Sequence, residues 1–267
     1  MRQSDFKTGC IVDRNDPRDL VFAPGLHGSA VVTGESFDFR SHMPVVRDQL
    51  AQNCCAQAMS DALFASAKVA GTPIPRPSVA FLYLIARLVD RPRQTVFDTG
   101  SGLRQMCRAM SRRSVEGPGG LGEGWGIVSE GRWPETATTI DTIPPDDVWR
   151  DSAVATLGSY SFIGDGVGST DAIVSALRRL RFPTIACMVD EKFTQVGFDV
   201  YNIPGGRILG SHAMLCCGYS KTLDAILVRN SWGDGFGDLG YAWLSRGFVD
   251  QKTYGKVVVE VVPEAIP

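Results

Sequence analysis

Residues 47–63 read RDQLAQNCCAQAMSDAL: Gln49, a short loop, the adjacent Cys54 and Cys55, then an alanine-rich run. From Cys54 to about Ala70, positions 55, 58, 59, 62, 63, 66, 69 and 70 carry Cys, Ala, Met, Ala, Leu, Ser, Val and Ala. That is the spacing of one helical face, and it predicts a mostly buried helix that opens at the thiol pair. Two neighbouring thiols at such a place raise the question of whether one is a nucleophile, and which.

Outward from this helix, the breaker GTPIPRP precedes SVAFLYLIARLV, which suits a second helix, and GSGLRQMCRAMSRR suits a third. The glycine-dense SVEGPGGLGEGWG lacks the lysine of a phosphate loop and reads as a flexible surface connection. Beyond about residue 150 the texture changes to short β-branched or aromatic runs: SAVATLGSYSF, FPTIACMV, HAMLCCGYS, AILVRNSW, GYAWLSR and KVVVEVV, with STDAIVSALRRLR as the one helix among them. Residues 1–43 are rich in Gly, Pro, Asp and Ser and read as an extended arm. The expected organisation is α+β: the arm, a helical subdomain over 44–150, a β-rich subdomain over 151–267, and a cleft where the two meet.

Composition narrows the function classes. The chain of 267 residues is 44% hydrophobic and 21% charged, with a formal charge of −2, so it has no basic excess for nucleic acid or anionic lipid. The N-terminus lacks an apolar signal core, and no run of about 18 apolar residues spans a bilayer. These features exclude a membrane partner and place the chain in the cytoplasm by default, with signal-independent export or incorporation in a larger particle as the other routes. Seven cysteines without regular spacing read as reduced thiols rather than a disulfide framework.

A nucleophilic thiol needs a base, a group that orients the base, and donors for an oxyanion. Of three histidines, His27 and His42 lie in the arm, whereas His212 opens the apolar strand HAMLCCGYS. A lone histidine at a strand mouth is more often simply hydrogen-bonded there. Here the next strand carries Asn230, Ser231 and Trp232, and an antiparallel turn at SKTLDA brings Asn230 across from the His212 end. An amide there can hold an imidazole tautomer, and an indole can shield the pair from water.

With VRDQ, the Cys-x-Ala-x-Ala helix start, SHAMLCCGY and VRNSWGDGFGDLGY in order, the chain resembles the papain superfamily of cysteine peptidases over nearly its whole length. The segments NDPRDLVFAP, SFDFRSHMPVVRDQ, PSVAFLYLIAR, DTGSGLRQMCRAM and VYNIPGGRILGSHAM resemble its shorter prokaryotic branch. The resemblance implies a papain-like fold: a central helix bearing the nucleophile in the helical half, a β-barrel-like second half, and the active-site cleft between them. It also implies peptide or protein substrates, no cofactor, Gln49 in the oxyanion hole, His212 as base, Asn230 as orienter and Trp232 as shield. Its helix begins at the nucleophile, where backbone donors and the dipole favour thiolate.

The family's usual spacing from the glutamine selects Cys55. The small residue that the family places two positions after the nucleophile is Ala56 counting from Cys54, but Gln57 counting from Cys55. Packing tolerates a small-to-large exchange less well than a loop tolerates losing one residue, so Cys54 is the expected nucleophile and Cys55 the alternative. By the same resemblance Gly100 and Ser101 pair with substrate main chain, and Ala213 lines a pocket. The loop before the cysteine departs from the family, with Gln52 and Asn53 where glycine and serine are usual. A related acyl-transfer or cell-wall peptide hydrolase, or a binding member without turnover, therefore stands beside the peptidase reading.

Other signals are weaker. Gly235, Gly237 and Gly240 spell a dinucleotide fingerprint, but the run after them is strand-like where a pyrophosphate needs a helix. The pairs Cys54-Cys55 and Cys216-Cys217 lack metal-site spacing. Cys10, Cys107, Cys187, Cys216 and Cys217 read as core thiols. The arm is too short for a helical inhibitory domain, yet Val21, Phe22, Leu26, Val31 and Val32, with bends at Gly25, Gly28 and Gly34, suit either a cover over the cleft or a brace on the β-rich half.

Overall fold

A computed structural model describes residues 6–13, 16–23, 32–89, 97–111, 125–152 and 156–262. His27, Gly25, Leu26, Gly28 and Val31 of the arm, and most of the glycine-dense segment at 114–126, lie outside the described residues. The helical part contains α1 (Cys54–Val69), α2 (Val79–Val89), α3 (Leu103–Met110) and α4 (Asp146–Ser152). The long predicted helix opens at the thiol pair, and its Ala56, Ala58, Ala62, Ala65 and Ala67 are buried. Small side chains on several faces let α1 be enclosed by α2, α3 and the sheet.

The remainder is one sheet with β1 (Phe37–Asp38), β2 (Thr156–Ile163), β3 (Thr184–Asp190), β4 (Val200–Tyr201), β5 (Ile208–Ser220), β6 (Ala225–Arg229), β7 (Tyr241–Ser245) and β8 (Thr253–Val262). Its order is β2-β8-β3-β5-β6-β7-β4, and β1 pairs with β5 off this path. The long β5 lies antiparallel to both β3 and β6, pairing with β3 up to Leu215, the stretch that holds His212, and with β6 from Leu215 onward. The β5–β6 hairpin turns at SKTLDA as expected, with Leu215 opposite Arg229. That register carries Asn230 just past the end of β6, beside the His212 end of β5.

Two helices sit among the strands rather than one: α5 (Ser169–Arg178), at the expected place, and α6 (Arg246–Lys252), which sequence periodicity does not reveal. Helix α6 is only seven residues long and starts from a serine cap, Ser245, whose hydroxyl accepts from the Phe248 N–H. After Gly240 the chain enters β7, a strand, as the sequence reading expects. No helix among the described residues is long and apolar enough to cross a membrane.

The arm divides its contacts. Phe22 is buried against β2, with backbone hydrogen bonds from Phe22 N to Phe162 O and from Phe162 N to Leu20 O, and Val32 bonds to Arg178 at the end of α5. Val21 is exposed. These stretches brace the β-rich half, whereas residues 6–13 run elsewhere, across the end of α1.

A buried ionic cluster joins the two halves. Asp61 of α1 is 6% exposed and accepts from Arg229 Nε of β6 at 2.6 Å and from Arg76 Nη2 at 2.7 Å, with Arg47 Nη1 at 3.5 Å. Arg229 also reaches Tyr241 Oη at 2.8 Å and Val45 O at 2.7 Å, so all its nitrogens are occupied. Removing the central carboxylate leaves a buried guanidinium without its counter-charge, a change that typically costs about 3–5 kcal/mol. Asp61→Ala is therefore expected to lower the urea midpoint by that equivalent, and a loss under about 1 kcal/mol would show that the other acceptors satisfy Arg229 alone.

Candidate active site

His212 lies on β5 and is fully buried. One of its ring nitrogens, Nε2, is 2.6 Å from Asn230 Oδ1. The same amide oxygen accepts the Ser231 N–H at 2.8 Å, which identifies it as an acceptor. Nε2 therefore carries the proton and donates, and in the neutral ring Nδ1 is left with its lone pair. Nδ1 makes no hydrogen bond to nitrogen or oxygen among the described residues. Trp232 lies over the ring at 4.4 Å between centroids with a 31° tilt, and Phe193 and Phe236 back the indole at 5.8 and 5.2 Å. This apolar stack keeps water from the imidazole–amide bond.

Cys54 sits at the first position of α1, facing the imidazole. Burial pushes its thiol up, but hydrogen bonding from Cys55 and His212, the charge of the imidazolium and the Ala213 N–H outweigh that penalty. The net effect holds Cys54 well below the ordinary thiol range. Cys55 goes the other way: burial and its role as protonated partner to Cys10 and Cys54 hold it well above. Geometry agrees, since Cys55 Sγ donates to Ser101 O at 3.0 Å. Two adjacent thiols thus have opposite protonation preferences, and Cys54 is the one that faces His212.

Gln49 is 2% exposed, and its amide is oriented by two bonds: Ser231 Oγ donates to Oε1 at 2.6 Å, and Nε2 donates to Ala51 O at 2.7 Å. Oε1 is thereby the bound acceptor, and one N–H of Nε2 remains beyond the bond to Ala51. Gly100 and Ser101 lie beside the thiols, but their backbones are engaged within the chain. Gly100 N donates to Tyr83 Oη at 2.8 Å, while Ser101 N donates to Gly9 O and Ser101 O accepts from Ile11 N, each at 2.9 Å. Gly100 has φ +80°, and a Cβ there would come within 2.2 Å of Gly9 O, so the close approach requires glycine.

Residues 6–13 lie across this site. Phe6 meets Trp232 edge-on at 5.0 Å, Trp232 Nε1 donates to Lys7 O at 2.8 Å, and both Gly9 N and Cys10 N donate to Ser211 O at 3.0 and 3.1 Å. The strip therefore spans from the indole, past His212's neighbour Ser211, to Ser101. Cys10 is buried in the core, as expected, and stands beside Cys55. Cys107, Cys187, Cys216 and Cys217 are buried thiols, and burial raises each of them. His42 lies away from the thiols, against Ser41 and the edge of Phe39. Among the described residues no cluster of His, Cys, Asp or Glu is arranged to hold a metal ion.

Sequence reading brings together Cys54, His212, Asn230, Gln49, Trp232 and Ala213, and the structure places all of them around one point. It misses Ser231, Ser211 and Cys10. The first two stand beside recognised residues, and neighbourhood along the chain is the signal that points to them.

Residues 146–260 match the papain family of cysteine proteases. A probable cysteine protease of Arabidopsis thaliana is 35% identical over 104 residues, 37% of this chain. The chain spans less than a third of the length of the curated relatives it matches, 28% and 20% for the first two. Among solved structures, xylellain, a cysteine protease from Xylella fastidiosa, superposes with a TM-score of 0.79 at 21% identity, covering 98% of both chains. A procathepsin B from Trypanosoma congolense gives 0.71 at 16% identity, covering 98% of this chain and 88% of that one. Over residues 146–260 the chain is thus similar to the papain family of cysteine proteases, and over most of its length it has the papain-like α+β fold of helical and sheet parts.

Proposed function

We propose that the chain is a cysteine peptidase that hydrolyses peptide bonds through a Cys54 thiolate, with residues 6–13 as a built-in cover over its site. The observation that carries this reading is the tautomer: Asn230 Oδ1 holds the proton on His212 Nε2, which leaves Nδ1 as the base toward Cys54. Cys54 then attacks the substrate carbonyl and forms an acyl-enzyme while the His212 imidazolium gives its proton to the leaving amine. Water, deprotonated by His212, resolves the thioester. The Gln49 amide and the first N–H of α1 supply donors for the oxyanion, and Trp232 keeps the pair dry. The segments that resemble the shorter prokaryotic branch accord with this reading, with peptide or protein as substrate.

The cover reading rests on what residues 6–13 use. They take the backbone groups of Ser101 and Ser211, which are the edges on either side of the thiolate where an extended peptide would pair. Gly9 sits at the tightest point, where a Cβ would come within 2.2 Å of Gln52 O. Gly9→Arg therefore expels the strip while leaving the Phe22 and Val32 braces in place. Labelling by a small peptidyl epoxide is expected to accelerate about tenfold or more in this variant, and an unchanged rate would mean that the strip is no barrier.

The nucleophile assignment has its own test. Since the Cys54 pKa is depressed, iodoacetamide should alkylate Cys54 at pH values well below the ordinary thiol pKa of about 8.5, with reactivity lost only as pH falls through the lowered value. His212→Ala should move that profile up toward 8.5, and Asn230→Ala should move it less. Cys54→Ala is expected to abolish turnover, with Cys55→Ala within about tenfold of wild type. Label recovered on Cys55 in a peptide map would overturn the assignment.

A further inference from the structure

The four residues between Gln49 and Cys54 must hold two oxyanion donors in register, and this loop lacks the small residues usual before the nucleophile. Glu135, from the segment between Trp133 and Thr139, grips it at three points. Its Oε1 accepts from Asn53 Nδ2 at 2.6 Å and from Leu50 N at 3.2 Å, and its Oε2 accepts from Gln57 Nε2 at 2.8 Å. Asn53 and Gln57 are buried at 0% and 2% exposure, so these are bonds that water does not replace. The far side of the loop is held separately, with Gln52 N and Nε2 donating to Asp98 Oδ1 and O at 2.9 and 2.8 Å.

Asn53 occupies the N-cap of α1, where an asparagine side chain ordinarily accepts from an N–H of the first turn. It makes no such cap bond. Glu135 draws its carboxamide away from the helix axis, so the cap side chain does not cover the end where Cys54 stands. The same carboxylate ties the loop that carries Gln49 to the first turn of α1, through Leu50 on one side and Gln57 on the other. We infer that Glu135 is a positioning residue that sets the distance between the Gln49 amide and the Cys54 N–H and so shapes the oxyanion pocket. This rests on the peptidase reading above. Glu135 touches neither His212 nor Asn230, so it shapes the pocket without forming the thiolate.

The consequence is a split between two reagents acting on the same thiol in the full-length chain. A peptidyl aldehyde adds reversibly to Cys54 and needs the oxyanion pocket, whereas iodoacetamide alkylates the thiolate without forming an oxyanion. Both must displace the covering strip, so its effect is common to each. Glu135→Ala is expected to weaken aldehyde binding roughly ten- to a hundredfold. Iodoacetamide alkylation at pH 7 should hold or rise slightly, because a negative charge near the thiolate is removed. Glu135→Gln keeps an acceptor for Asn53 and should recover aldehyde affinity to within about threefold of wild type. Unchanged aldehyde affinity in Glu135→Ala, or alkylation falling in parallel with it, would overturn the inference; should that variant not fold, Glu135→Gln losing both reactivities together would do the same. A Gly9→Arg chain, its strip expelled, that alkylates at Cys54 yet binds no aldehyde would overturn the peptidase reading and this inference together, which distinguishes the two failures.

Discussion

The carboxylate of Asp61, enclosed by Arg229, Arg76 and Arg47, is the constraint on which the rest of this structure depends. Asp61 lies two turns along α1 from Cys54, and Arg229 immediately precedes Asn230. Their 2.6 Å contact therefore ties the helix that opens at Cys54 to the strand that leads into Asn230. Apolar packing of an alanine-rich helix on a sheet is tolerant of sliding, because small side chains make few directional demands. A buried, fully bonded guanidinium is not tolerant, since any slip leaves a charge without its partner.

Around that anchor the site is built from bonds that each remove one degree of freedom. Ser231 N–H decides the orientation of the Asn230 amide, the amide decides the imidazole tautomer, and the tautomer decides which nitrogen faces Cys54. On the other side Ser231 Oγ decides the orientation of Gln49. A single residue, Ser231, thus orients both the Asn230 amide that holds His212 and the Gln49 amide, through its backbone and its side chain respectively. The different environments of Cys54 and Cys55 follow from the same order: the first residue of α1 meets the imidazole, and the second turns toward Ser101 O and the thiol of Cys10.

The described stretches of the arm make two different kinds of contact. Its stretches near Phe22 and Val32 satisfy backbone groups at β2 and at the end of α5, which is the behaviour of a brace. Residues 6–13 instead satisfy Ser101 and Ser211, groups that border the thiol. Sheet edges demand a partner, and a strip of the same chain is present at high effective concentration.

Periodicity and spacing alone made several features legible: the helix opening at Cys54, the hairpin that brings His212 and Asn230 together, and the partition into helical and sheet parts. Each rests on contacts between residues close along the chain, where helix and strand geometry decides which side chains share a face. Helix α6 escaped because seven residues carry too few turns for a periodic signal. Only the tertiary structure decided that Asn53 and Glu135, 82 positions apart, share a bond, that Gln49 meets Ser231 across 182 positions, and that Cys10, a core thiol as its sequence suggests, lies beside Cys55. The surroundings that set the two adjacent thiols apart also belong there. A sequence places both at the start of one helix, but protonation depends on which partner each side chain meets, and those partners come from β5, from the arm and from the loop at Ser101.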